Sequence, residues 1–238
     1  MIARALPAPL EALRGHSVRE VRAVPTGIGE LDAALPDGGI PRSAVTELAS
    51  SSGLGLGTRI ALATVAAAQA EARLRGGDAA FCAFVDPTSS LHGPGARALG
   101  VDLGRLLVVR PPLDALARTA VRVVSSRVFS VVVVDVSGVP GATGARDLGA
   151  WATAVRRLAL AAEGGDTAVL LLTARELARP LPLPVALRVE LGQPEKGRLS
   201  VRIGKERRGL VGGWKSVKVG QDAPGKEGLL AHPGARSA

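Results

Sequence analysis

Residues 131–135 read VVVVD, four valines in unbroken series closed by a carboxylate. Such a run has no polar face, so it suits a strand in a sheet covered on both sides. Runs at 79–85, 106–109, 168–172 and 185–191 read as further strands. Between them apolar side chains recur at helical steps, at Leu116, Ala117, Ala120, Val121 and Val124, and again at Leu148, Trp151, Val155, Leu158 and Ala162. Strands alternating with helices predict an α/β fold, a mostly parallel central sheet with helices on both faces. Two late runs, 199–203 and 214–219, pair around GKERRGLVGG as a C-terminal antiparallel hairpin. In such a sheet Asp135, at a strand's carboxyl end, stands where ligands bind. The plainer role for it is a strand-ending aspartate that accepts from neighbouring backbone.

The stretch 44–62, AVTELASSSGLGLGTRIAL, reads as strand, glycine-rich turn and helix. A phosphate-cradling loop has a glycine, four residues, then Gly-Lys-Ser/Thr: amides wrap the phosphates, the lysine neutralises them and the hydroxyl holds magnesium. The best register puts Ser50 at the first glycine, Gly55 at the second, Leu56 at the lysine and Gly57 at the hydroxyl, with Thr58 one place late. No lysine precedes Glu195, and the nearby Arg59 follows the turn on the helix. The frame of a nucleotide site is present without its charged and metal-holding groups. No cofactor and no catalytic residue is therefore expected.

At 238 residues the chain has room for one substantial domain. Aromatics are 2% of it and tyrosine is absent, which excludes most aromatic-stacking designs for single-stranded nucleic acid. The net charge of +9 fits an acidic partner. Its placement is uneven: all five lysines lie beyond Glu195. One cysteine, Cys82, forms no intramolecular disulfide and suits a reducing cytosol. The amino-terminal segment lacks the apolar core of a secretory signal, and no apolar run is of membrane-spanning length. His16, His92 and His232 show no metal-ligand spacing. The expected organisation is an arm at 1–24, a core domain at 25–220 with a helix-bearing connection after Pro25, and a basic tail at 221–238 predicted to be mobile.

The segments PTGIGELDAALPDGGIPRSAVTEL, CAFVD with ARALGVDLGRLLVVRP, and VVVVD resemble the ATPase core of bacterial RecA recombinases over roughly residues 18–220. The resemblance implies a RecA-like core in which Asp135 is the remnant of the Walker B carboxylate. Within that superfamily the degenerate loop, the short length and the basic end look most like the ImuA-type accessory factors of error-prone translesion synthesis. Those are associated with a Y-family polymerase-like partner, and are sometimes grouped with the division inhibitor SulA.

The departures from the recombinase pattern are specific. Thr88 stands where the water-activating glutamate belongs, and threonine cannot act as that base. Gly95 replaces the tyrosine that packs on adenine, and Thr173-Ala174 replace the γ-phosphate sensor. With Leu56 and Gly57, five parts of an ATPase are missing. The second DNA-contacting loop is reduced to about a dozen residues between two strands, and the basic tail stands in place of the large C-terminal domain. These departures argue against independent recombinase activity.

Three functions follow for comparison. The first is a non-catalytic scaffold for mutagenic repair, nucleoid-associated in the cytoplasm, binding DNA, a Y-family polymerase-like subunit and RecA. Its DNA contacts would come from Lys205, Arg207 and Arg208, with Arg202, Lys215 and Lys218 alongside, through weak and salt-dependent phosphate contacts. The second is a protein-only inhibitor that caps RecA filaments or blocks a division protein, with homo-oligomers also possible through the arm. The third is a cryptic DNA-dependent ATPase using Arg59 or a hairpin lysine.

Overall fold

The computed structural model describes residues 23–51, 55–139, 148–174, 183–195 and 197–218. Of the arm expected at 1–24, only the last two residues fall within these limits, and the tail at 221–238 lies outside them. The described chain begins as an antiparallel ribbon, β1 (Ala23–Val24) against β2 (Ile40–Pro41), with α1 (Gly29–Ala34) between the two. The amide and hydroxyl of Thr26 both donate to Asp32, at 2.8 and 2.7 Å, and so tie the start of this connection to its helix. Gly39 is needed beside the ribbon, because a Cβ there would lie 2.4 Å from the Val24 carbonyl oxygen.

The remaining elements are β3 (Ala44–Ser50), α2 (Leu56–Leu74), β4 (Cys82–Val85), α3 (Gly93–Ala98), β5 (Leu106–Val109), α4 (Leu116–Ser125), β6 (Val131–Asp135), α5 (Leu148–Ala162), β7 (Ala168–Ala174), β8 (Leu187–Glu195), β9 (Arg198–Glu206) and β10 (Lys215–Lys218). Strands β3 to β10 form one sheet in the order β10-β9-β8-β3-β7-β6-β4-β5. From β8 across to β5 every pairing is parallel, while β9 and β10 extend the sheet antiparallel. This is the mostly parallel sheet with a C-terminal antiparallel hairpin that the strand pattern predicts.

The valine run explains the layering. Val131 and Val133 enter the core shared with α2 and α3, and Val132 and Val134 enter the core shared with α4 and α5. All four are fully buried. At about 1.5–3 kcal/mol for each such side chain, β6 and its neighbours hold the two helical layers together. The amphipathic helices turn as their periods require: Leu116, Ala120 and Val124 face inward from α4, and Val155, Leu158 and Ala162 from α5. Trp151 packs against the same core, consistent with a packing role for that ring.

Several boundaries differ from the sequence reading. The strand expected at 79–85 begins at Cys82, because Phe81 is exposed and lies under the Arg105 guanidinium at 4.6 Å. The helix after the glycine turn, expected over 60–75, begins already at Leu56 and ends at Leu74. The strand expected at 185–191 runs to Glu195, since β9 supplies it with an antiparallel partner beyond the reach of β3.

Charges also lie within the sheet on the side of α5. Glu47 on β3 accepts from the Thr173 hydroxyl at 2.8 Å and from Arg188 Nε at 2.7 Å, with all three residues buried. On the neighbouring strands Arg202 donates twice to the buried Glu190, at 3.0 and 2.5 Å. Removing one member of a buried pair strands the other charge without water. Arg188→Ala is expected to lower the unfolding free energy by about 3–5 kcal/mol, and Glu47→Gln added to it to recover part of that loss. Urea unfolding of the single and double variants measures both. A loss under about 1 kcal/mol in the single variant would show that the pair is dispensable.

Candidate functional site

The parallel strands β3, β4, β6 and β7 end together, and their carboxyl ends bring Ser50, Asp86, Asp135 and Ala174 to one edge. Above this edge α2 is preceded by its N-cap, Gly55, which takes a left-handed φ of +59°. The position that a P-loop lysine would occupy holds Leu56, half-buried and packed against the core of α2. Gly57 is buried, and a Cβ there would stand 3.5 Å from Ser50 Oγ and 3.7 Å from Leu172. Thr58 is half-buried and Arg59 is exposed. Residues 52–54 of the glycine-rich turn lie outside the described residues; on either side of them stand the expected strand and helix, with an apolar side chain where the cation belongs.

The two carboxylates at this edge are already engaged. Asp135 Oδ1 accepts from the Ser137 amide at 3.0 Å and its hydroxyl at 2.6 Å, and Oδ2 accepts from Ser90 Oγ at 3.4 Å. Asp86 accepts from the amides of Ser90 and Leu91 at 2.9 and 3.1 Å, and Arg110 approaches it to 3.6 Å. Ser90 joins the pair, since its hydroxyl also reaches Asp86 at 3.2 Å. Asp135 thus accepts from neighbouring backbone, as in the plainer of its two sequence readings, at the position where the resemblance implies a Walker B remnant. Thr88 lies against Gly138, where a Cβ would meet its methyl at 3.5 Å. Gly95 sits in the first turn of α3 and donates its amide to His92 Nδ1 at 3.1 Å, so His92 caps a helix. Among the described residues no group of three His, Cys, Asp or Glu is placed to hold a metal. Cys82 is buried, and burial pushes its thiol up to about 12, against the weaker opposing effects of the Val131 backbone and Arg42.

The six cations selected from the sequence do not form one patch. Arg202 pairs with Glu190 and lies over the Trp214 ring at 5.1 Å. Arg208 binds Glu206 at 3.0 Å and Asp37 at 2.9 Å, which fastens the β9–β10 turn to the loop after α1. Lys215 and Lys218 sit on the outermost strand, with Lys215 level with the buried Val201 and Lys218 level with Arg198. Only Lys205 and Arg207 converge, at the opposite end of the sheet from Ser50 and Asp135. The residues that sequence reasoning missed are the acids that consume the arginines: Glu30, Asp37, Glu190 and Glu206. They are distant from their partners along the chain, apart from Glu206. The serines that fill Asp135 and Asp86 were more accessible, because an aspartate followed closely by serine is a local turn pattern.

The RecA N-terminal domain model matches residues 9–155, more than half of the chain. This chain belongs to the RecA N-terminal domain family. Curated relatives agree: Protein RecA of Mesorhizobium japonicum is 40% identical over 121 residues, covering 50% of this chain and 31% of that protein. Protein RecA of Rhizobium leguminosarum bv. viciae is 41% identical over 122 residues, 50% of this chain and 32% of the relative. For Protein RecA of Cutibacterium acnes the figures are 39% over 117 residues, 49% and 31%. The matched part spans about a third of each relative's length. The family match ends before β7, so β7 to β10 are described by the structure alone.

The turn after β9 is held by Glu206, which accepts from the backbone amides of Arg208 and Leu210 at 2.6 and 3.3 Å. Partial burial opposes its ionisation, but the Arg208 guanidinium and these amides outweigh that and hold its carboxyl below the ordinary value of 4.5. A carboxyl lowered on folding stabilises the fold above its unfolded pKa, and that stability is lost as pH falls through the lowered folded value. Acidification below pH 4.5 is therefore expected to loosen this turn. Trp214 fluorescence in a Trp151→Phe background reports it. Glu206→Gln should remove the acid transition, and an unchanged transition would assign it elsewhere.

Proposed function

We propose that this chain is a non-catalytic RecA-like accessory factor in DNA damage tolerance, serving error-prone translesion synthesis by binding DNA and protein partners. The observation that carries the reading is the carboxyl end of the sheet. Leu56 packs into the core where a lysine would neutralise phosphate, and Asp135 is filled by Ser137 and Ser90. Phosphoryl transfer depends almost wholly on placed charge, and here Asp86 and Asp135 are both engaged and the nearby cation, Arg110, faces Asp86. The relatives named RecA support DNA and RecA itself as partners. A Y-family polymerase-like subunit is the further partner that the ImuA-type likeness implies, in the cytoplasm. No helix among the described residues is long and apolar enough to cross a membrane.

The cations that we assign to DNA lie on α4, α5 and the edge strand, and have no carboxylate partner among the described residues. Helices α4 and α5 pack side by side and contain no acidic residue. Arg118 and Arg122 on α4 and Arg156 and Arg157 on α5 are exposed, and Lys215 and Lys218 add to them on the edge strand. Arginines of this kind neutralise phosphates without reading sequence.

A second reading, an inhibitor that caps RecA filaments, draws on β5. This strand pairs only with β4 among the described residues, and its Leu107 and Val108 are exposed. A neighbouring strand could add to that edge. Loss of RecA binding on deletion of residues 1–24 would favour this reading, and an unaffected complex would sink it.

Titration of labelled single- and double-stranded DNA at two salt concentrations, with and without ATP and magnesium, tests the main proposal. Binding should weaken steeply with salt and be indifferent to ATP. Arg156→Glu with Arg157→Glu should weaken it and reduce the salt slope by about 1 for each phosphate no longer neutralised. ATP turnover, or no DNA binding at low salt, would overturn the proposal.

A further inference from the structure

At the amino end of the parallel strands, remote from the phosphate-loop remnant, α5 and the end of β9 enclose a cleft of about 190 Å³. Its apolar wall comes from Val45 at the start of β3, Ala159 on α5, and Pro184, Val185 and Ala186 leading into β8. Lys205 and Arg207 line the same cleft. Lys205 Nζ donates to the Leu183 carbonyl at 2.9 Å, which fixes the ammonium and leaves its two other N–H groups for a ligand. Arg207 is exposed and makes no hydrogen bond or ion pair among the described residues. Both contrast with Arg202 and Arg208, which are held by carboxylates of the chain itself. The one acid in the lining is Glu163, just beyond α5.

We propose that this cleft docks an acidic peptide segment of a partner protein. One aliphatic or aromatic side chain fills the apolar wall, and flanking carboxylates meet Lys205 and Arg207 in charge-assisted hydrogen bonds. Shape and charge select this occupant over nucleic acid. A cleft of about 190 Å³ has the size of a single side chain, whereas a duplex offers a convex row of phosphates that gains nothing from an apolar recess. Glu163 would repel a continuous polyanion, but a peptide can place a neutral or basic residue beside it. The site thus goes beyond DNA binding, which rests on different arginines, and the two can fail separately.

The test uses the full chain and fluorescence anisotropy. The probe is a fluorescein-labelled acidic peptide with a central leucine-phenylalanine pair, and the control carries two serines in place of that pair. The leucine-phenylalanine peptide should bind, and the serine control should bind at least about tenfold more weakly. Arg207→Glu, at an exposed position, should weaken peptide binding by at least about tenfold. Ala159→Leu, which fills the recess without altering charge, should also weaken the peptide while leaving affinity for a labelled short duplex within about twofold.

Absence of peptide binding to the unmodified chain would overturn the inference even if DNA binds. So would equal binding of the serine control, or unchanged affinity in Arg207→Glu. Full displacement of the peptide by the duplex would return the cleft to the DNA surface and overturn it as well.

Discussion

Strands β6 and β7 lie in the middle of a sheet that is dry on both faces, and in that setting every polar group must bring its own partner. Water cannot pay the difference for a backbone amide or a charge at such a depth. Parallel pairing satisfies the backbone, and alternate valines and leucines fill the space on either side. The same requirement governs the charges. Glu47 is tolerable because Arg188 and Thr173 complete it, and Asp86 and Asp135 because two serines and nearby amides do so. At the carboxyl end the described carboxylates are thus internally satisfied, at the edge where open α/β sheets in general bind ligands.

The layering was legible in the sequence because it depends on local periodicity. An unbroken valine run means burial on both faces wherever it sits in the chain, and steps of three and four place α4 and α5 without knowledge of their neighbours. Strand ends were less legible. Phe81 reads as part of a strand until Arg105 is seen stacked on it, and β8 is longer than its own apolar run because β9 carries the pairing on.

The candidate site divided along the same line. The loss of a lysine at Leu56 is a property of one position and was readable there. The fate of the hairpin arginines is a property of pairs. Arg208 reaches Asp37 across 171 residues, and Arg198 reaches Glu30 across 168. A count of basic residues therefore described the net charge correctly and their availability poorly. Lys205 and Arg207 differ from their neighbours in sequence only by a place or two, yet the bulge where Arg188 meets Val189 shifts the β9 register and sends them to the cleft beside α5.

The way α1 lies along the hairpin also gives the sheet a polarity. Strand β10 would otherwise expose a row of open backbone groups, but the Lys218 amide donates to the Glu30 carboxylate at 2.8 Å, and Arg198 and Arg208 hold the two ends of the α1 segment in place. Strand β5, at the far side, has no such cover among the described residues. Among the described residues the β10 margin thus carries a charged cap and the β5 margin carries none, so an added strand would find unpaired backbone at β5 and a carboxylate in its way at Lys218.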